Sequence, residues 1–233
     1  MAYQRTPYVE SKRAQARERL VEAALELLKA GGWREVQMSA VAAAAGISTG
    51  AIYLHFPSKT QLMSEMYRTQ AAAELRILSG IAEQEAPAAQ RLEAAIRAYA
   101  QRALANRRLG YAMMLEPTEI EVEEERLHAH VQYMAVFRGM VEAGVQAGEF
   151  QVADAQVAAA CMLGAVIESL IGPFGAGLRE PRAPGPREET KRLVDNVVAF
   201  CLLGLGPTPA KRTSRRLDDE TTKPRRTPPK KMR

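Results

Sequence analysis

The chain is poor in the residues that build disulfide scaffolds, β-rich cores and membrane spans. Its only two cysteines are Cys161 and Cys201, which cannot make a disulfide framework. They read as small buried hydrophobes in a reducing compartment, or as a redox switch, for which no basic neighbour in sequence lowers a thiol pKa. Aromatics are scarce at 6%, with Trp33 the single tryptophan. No apolar run approaches the roughly 18 residues of a membrane span. The opening MAYQRTPYVESKRAQ has no apolar stretch of the kind a secretion signal carries. No membrane association and a cytoplasmic location are therefore expected. Strand-type alternation is missing, and so are a Gly-x-Ser-x-Gly elbow, a phosphate loop after a strand and a metal-spaced His/Cys cluster. His128 and His130 stand two apart, on different faces of a helix, which argues against a paired metal site. No enzyme, cofactor or metal site is expected.

What is present suits a helical protein with nucleic-acid business at its ends. Apolar residues make up 47% and charged residues 25% of the 233, as in globular domains. The net charge of +5 divides unevenly: +3 over residues 1–60, −5 over 61–206 and +7 over 207–233. Attraction to a polyanion is expected from the two ends and not from the body.

Helical periodicity runs through the chain. Residues 1–10 read as a flexible arm, and Ser11 as the cap of a first helix to about Ala30, with Leu20, Ala24, Leu27 and Leu28 inward. Gly31-Gly32 stops it. Trp33 either plugs the small core beside this helix or touches nucleic acid. Lys12, Arg13 and Arg17 are either a solvated face or, with the arm, a phosphate- or minor-groove-contacting one. A helix from Ser58 to about Ser79 buries Leu62, Met66, Ala73 and Ile77, and is long enough to act as a strut. Further helices are expected from Ala88 (Leu92, Ile96, Tyr99), over Leu109–Leu115, from Glu119 to Ala147, and from an Asp154 cap to about Ile171. The Gly/Pro-rich GPFGAGLREPRAPG then breaks structure. A last helix opens at Pro186 and places Leu193, Val197, Phe200 and Cys201 on one side. The fold class is all-α.

The stretch Gln37–Gln61 is the most specific. Gly46 suits a left-handed turn after a short apolar helix. Ser48 can cap the next helix, Thr49–Phe56, whose Ile52 and Phe56 face inward. Its other residues are small or hydrogen-bonding and almost uncharged, which suits a helix that enters a major groove. Ser58 and Gln61 form a capping box after Pro57. Lys59 opposes the dipole of the helix it opens, a placement that a DNA phosphate would explain.

Gly46-Ile47-Ser48-x-Gly50-x-Ile52-Tyr53-x-His55-Phe56, with Ser58-Lys59 and Leu62, resembles the helix-turn-helix signature of the TetR (tetracycline-repressor-like) regulators. Gln37 stands where that family usually has threonine. The resemblance implies an N-terminal helix-turn-helix DNA-binding domain over 1–57, a helical effector-binding and dimerisation domain over 58–206, and a homodimer that meets a palindromic operator on double-stranded DNA. The DNA-facing set is Gln37, Ser39, Ser48, Thr49, Gly50, Ala51, Tyr53, His55 and Lys59. Thr49 and Ala51 are expected at base edges, and Tyr53, His55 and Lys59 at phosphates.

The fourth helix of the body is apolar on nearly all sides (Ala158, Ala159, Ala160, Leu163, Gly164, Val166) and needs cover from two directions, most simply by a second copy. Glu168 within it either pairs with an arginine across that interface or meets a ligand. Tyr111, Met114, Tyr133, Met134 and Phe137 are either plain core or the wall of a deformable apolar cavity. The resemblance, whose C-terminal domains commonly bind small effectors, raises the second reading. The Pro-rich basic tail 207–233 is expected to be disordered, either solvated or weakly attracted to DNA. The sequence thus reads as a repressor released by a small, largely apolar effector. Its alternatives are a ligand-independent or activating DNA-binding protein of the same fold and a nucleoid-type binder with little sequence preference.

Overall fold

The computed structural model describes residues 7–179 and 187–206. These residues form α1 (Pro7–Gly31), a 3-10 turn (Trp33–Glu35), α2 (Met38–Ala44), α3 (Thr49–Ile52), α4 (Lys59–Ala82), α5 (Ala88–Ala105), α6 (Arg107–Met114), α7 (Ile120–Gln146), α8 (Ala155–Arg179) and α9 (Arg187–Gly204), with no strand among them. The expected arm 1–10 is corrected in part: α1 already runs from Pro7, where proline's fixed φ and missing N–H suit a first helical position. Residues 1–6 and the tail 207–233 lie outside the described residues, as does Pro186.

α1 to α3 and the first turns of α4 close a small head around Leu20, Ala24, Leu28, Val41, Ile52, Phe56 and Leu62, each at most 1% exposed. Ser11, expected to cap the first helix, lies inside it instead, whereas three later caps and two glycine turns fall where the sequence puts them. Ser48 Oγ accepts from the Ala51 N–H at 3.2 Å and Ser58 Oγ from the Gln61 N–H at 3.1 Å. Gly46 at φ 71° turns α2 into α3, and Gly148 at φ 74° ends α7. Asp154 Oδ1 accepts from the N–H groups of Gln156 and Val157.

The body packs α5 to α9 against the rest of α4. α4 and α7 advance side by side, tied by Arg68–Glu125 at 2.8 Å and by the Tyr133 hydroxyl donating to the Ala71 carbonyl at 3.2 Å. Ile77, expected inside, is 41% exposed, and its neighbour Leu78 is fully buried in its place. α8 is the larger correction. It does not break at Gly172 but carries Pro173 inside it and continues to Arg179. Phe174 is fully buried against Gly110 of α6, and that packing outweighs the hydrogen bond proline removes. Gly110 has to be bare: a Cβ there would meet Phe174 at 2.6 Å and the Ala103 carbonyl at 2.5 Å.

Ala155–Gly175 of α8 is also long and apolar enough to cross a membrane by length and composition, contrary to the expectation from apolar runs, and 33% of that window is buried. Exposed residues of this segment include Val157, Ala160, Gly164, Glu168 and Ile171, which recur three or four apart along one uncovered stripe with Cys161 beside it. On α9, Val194, Val198 and Cys201 face inward; of the side expected there with Cys201, Leu193 and Val197 are only half-buried and Phe200 is 68% exposed, with Leu203 at 81%. The two cysteines therefore differ: Cys201 is buried, its thiol pushed up to about 11 by desolvation, and Cys161 is exposed.

Candidate nucleic-acid interface and inter-helix cavity

α3 is a single regular turn, shorter than the expected Thr49–Phe56. Its continuation tightens, the N–H groups of both His55 and Phe56 returning to the Ile52 carbonyl at 2.9 Å. Ser48, Thr49, Gly50 and Tyr53 are exposed, and Ala51 is half-buried. Leu54, which sequence reasoning did not single out, is 72% exposed on the same protrusion. Its position opposite the inward pair Ile52 and Phe56 was a readable signal. Gln37 and Ser39 are exposed at the start of α2. The Gln37 side chain makes no cap there; its amide donates to the Arg34 carbonyl at 2.8 Å.

The carbonyls that end this segment are held from α1. Arg13 donates to the Leu54 carbonyl at 3.1 Å, and Arg17 to the His55 carbonyl. The Arg17 guanidinium lies 4.2 Å from the centre of the Phe56 ring and 3.5 Å from Glu65. Both arginines thus satisfy the negative end of the recognition turn and place positive charge behind it. His55 is half-buried beside them, with Nδ1 buried and unpartnered. Desolvation, then repulsion from Arg13 and Arg17, lowers its pKa. The neutral ring is therefore the favoured form there. Lys59 has a protein partner, Glu119 at the head of α7, at 3.6 Å.

The head is fastened to the body through α6. The Trp33 indole N–H donates to the Ala112 carbonyl at 3.0 Å, so Trp33 does not merely plug the head's own core. Its backbone N–H reaches Glu116 at 3.3 Å. Arg108, 5% exposed, binds Glu116 at 2.6 Å and the Gly31 carbonyl at 2.9 Å. Gly32, at φ 86°, must lack a side chain, because a Cβ there would overlap the Arg108 guanidinium.

Beyond this clasp, a cavity of about 290 Å³ opens among α4, α5, α6, α7 and α8. Its wall comprises Tyr67, Tyr99, Met113, Met114, Glu123, Arg126, Leu127, His130, Tyr133 and Ile167. Of the expected cavity residues, Met114 and Tyr133 line it. Tyr111 instead stacks by Arg108, its ring centre 5.6 Å from the guanidinium carbon, and Met134 and Phe137 lie in the core outside the wall. Tyr67 and Tyr99, far apart in sequence, were missed because only the folded helices bring them together. A larger cavity, about 650 Å³, borders Leu104, Arg107, Pro173, Arg192 and Leu193, with the Arg107 Nε buried and unpartnered.

Residues 20–66 match the family model described as bacterial regulatory proteins, tetR family, and residues 85–170 match the tetracyclin repressor-like C-terminal domain. The fatty acid metabolism regulator protein of Bacillus subtilis is 21% identical over 154 residues, 65% of this chain and 79% of that protein. The repressor KstR of Rhodococcus jostii is 45% identical over 47 residues, 20% of this chain and 22% of that one. Among solved structures, FadR of Bacillus subtilis in complex with stearoyl-CoA superposes with a TM-score of 0.67 at 19% identity, covering 80% of this chain and 98% of its own.

Proposed function

The chain belongs to the tetR family of bacterial regulatory proteins, and from that premise we propose that it is a dimeric repressor released from a palindromic operator by a small, largely apolar effector. Membership makes it a DNA-binding transcriptional regulator. The matched relatives are named as regulators and repressors, and no enzymatic activity is assigned. Its place of work is the bacterial cytoplasm.

One observation carries the reading: an uncharged, protruding turn, Thr49–Ile52, is capped by Ser48 at one end and held by Arg13 and Arg17 at the other. Such a turn is narrow enough for a major groove and costs less to desolvate than a charged one. Thr49 and Ala51 face base edges. Gln37, Ser39, Ser48, Gly50, Tyr53, His55 and Lys59 border the sugar–phosphate backbone, with Leu54 added to the groove-facing set. The division into a head over 1–57, a body over 58–206 and a separate basic tail follows the same assignment.

The uncovered stripes of α8 and α9 meet their copies in a second subunit, which covers the apolar 155–175 segment in place of lipid and sets the spacing of the two heads. The chamber holds the effector. A FadR structure with bound stearoyl-CoA supports ligand control in a protein of this fold. Release travels along α6, which offers Met113 and Met114 to the chamber and Arg108 and Ala112 to the head. A preference of about 1–3 kcal/mol between two positions of α6 suffices.

The test is a selection of random duplexes with the purified protein. A two-fold-symmetric consensus is expected, with relaxed preference at one position per half-site for Thr49→Ala. An unsymmetric or featureless consensus refutes the proposal. Phe200→Glu should yield monomers in sedimentation that lose cooperative operator binding.

A further inference from the structure

The chamber's chemistry identifies its ligand class more narrowly, given the assignment of that chamber as the effector site. Three phenols converge on it, and burial raises the pKa of all of them, Tyr67 to about 12 and Tyr99 and Tyr133 further. They are neutral at any physiological pH. Tyr67 donates its proton to the Met113 carbonyl at 3.2 Å, and Tyr133 gives its own to the Ala71 carbonyl. Tyr99 packs edge-on against Tyr133, ring centres 6.0 Å apart, and is 6% exposed. Tyr99 lines the cavity, and its hydroxyl makes no hydrogen bond to another described residue.

The one guanidinium in the wall is spent. Arg126 donates to the carbonyls of Ala112, Met113 and Glu116 and to the Glu123 carboxylate at 2.7 Å. Its charge is neutralised, and its donors are committed to holding the turn after α6. An anion entering the chamber would find no free arginine or lysine, with only His130 at its exposed edge, and would lie against methionine, leucine and isoleucine. A neutral molecule with one oxygen acceptor would satisfy Tyr99 and fill the rest with hydrocarbon.

We infer that the effector is an uncharged apolar compound of modest size whose carbonyl or hydroxyl oxygen accepts a hydrogen bond from Tyr99, and not a free carboxylate or a coenzyme A thioester. The oxygen of Tyr133, whose proton goes to the Ala71 carbonyl, remains able to accept from a ligand hydroxyl, whereas that of Tyr67 already has the Arg126 guanidinium beside it. The volume of about 290 Å³ lies at the small end of ligand pockets, roughly 300–1,000 Å³, in keeping with a compact molecule.

The full chain is titrated calorimetrically with 2-decanone, with decanoate and with decanoyl-CoA. Competition against the ketone isolates binding in the chamber from any anion held elsewhere. The ketone should bind at least about tenfold tighter than competing decanoate. Tyr99→Phe should weaken the ketone roughly three- to tenfold, the contribution of one hydrogen bond, and leave the thermal midpoint close to that of the parent. Decanoate or the thioester displacing the ketone at equal or better affinity overturns the inference, while the chamber stays an effector site. Ketone affinity unchanged in Tyr99→Phe, or no ketone binding, also overturns it. Ile167→Trp, which fills the chamber, separates the two assignments: if it leaves DNA release by an extract of the native host intact, the effector site is elsewhere.

Discussion

The indole N–H of Trp33 is bonded to the carbonyl of Ala112 at 3.0 Å, across the boundary between the DNA-facing head and the body, with both residues buried. Trp33→Phe keeps most of the packing and removes this bond. Arg126 still donates to the same carbonyl, so the expected loss of stability is only about 1 kcal/mol by thermal unfolding. The larger effect should fall on coupling: operator affinity without effector stays within a fewfold of the parent, and effector-induced release weakens in a mobility-shift titration.

Arg17 is expected to control DNA affinity without touching DNA. It joins the end of the recognition turn, the face of Phe56 and Glu65. Arg17→Met should retain much of the stacking and lose the carbonyl bond, lowering operator affinity about three- to tenfold. Arg17→Lys should not restore it, since an ammonium cannot stack and bond in the same geometry. Affinity equal to the parent in Arg17→Met would remove Arg17 from this role.

Lys59 is shared between Glu119 and, in the proposed complex, a phosphate. Lys59→Ala should weaken binding to all sequences alike and reduce the slope of log affinity against log salt by about 1. Glu119→Gln frees the ammonium and should strengthen binding. A double variant that behaves as Lys59→Ala alone would place the Glu119 effect on that lysine.

Stability should depend on pH through His55. Its folded pKa is lowered from 6.5 by desolvation and by Arg13 and Arg17, so the folded state favours the neutral ring. The unfolded chain then takes up a proton first as pH falls. The stabilisation is complete above pH 6.5 and is lost as pH drops through the depressed folded value. Chemical denaturation between pH 7.5 and 5 should show this decline, and His55→Asn should flatten it relative to the parent.

Local signals were legible where local chemistry decides structure. Ser48, Ser58 and Asp154 cap as their positions dictate, and Gly32, Gly46 and Gly148 adopt the left-handed angles that end their helices. The turn after α2 could be read because Gly46 and Ser48 place it and Ile52 and Phe56 four apart set its inward side. What failed were inferences from breakers and long-range contacts. Gly172-Pro173 does not end α8, because Phe174 gains a buried seat that no local rule registers. Arg13 and Arg17 were left open between solvent and phosphate, and neither option included the carbonyls of Leu54 and His55, some forty residues away in sequence. The chamber was half legible, since the helical period locates Met114 and Tyr133 but cannot bring Tyr67 and Tyr99 beside them.

Phe174 rests on the bare backbone of Gly110, so a tilt of α6 would press on α8. The helix proposed to carry the subunit seam therefore bears directly on the helix that anchors Trp33. Strain introduced where two copies meet would reach the operator even with the chamber empty. Substitutions far out on α8 could then change how long a promoter stays occupied without altering any residue that touches DNA or ligand.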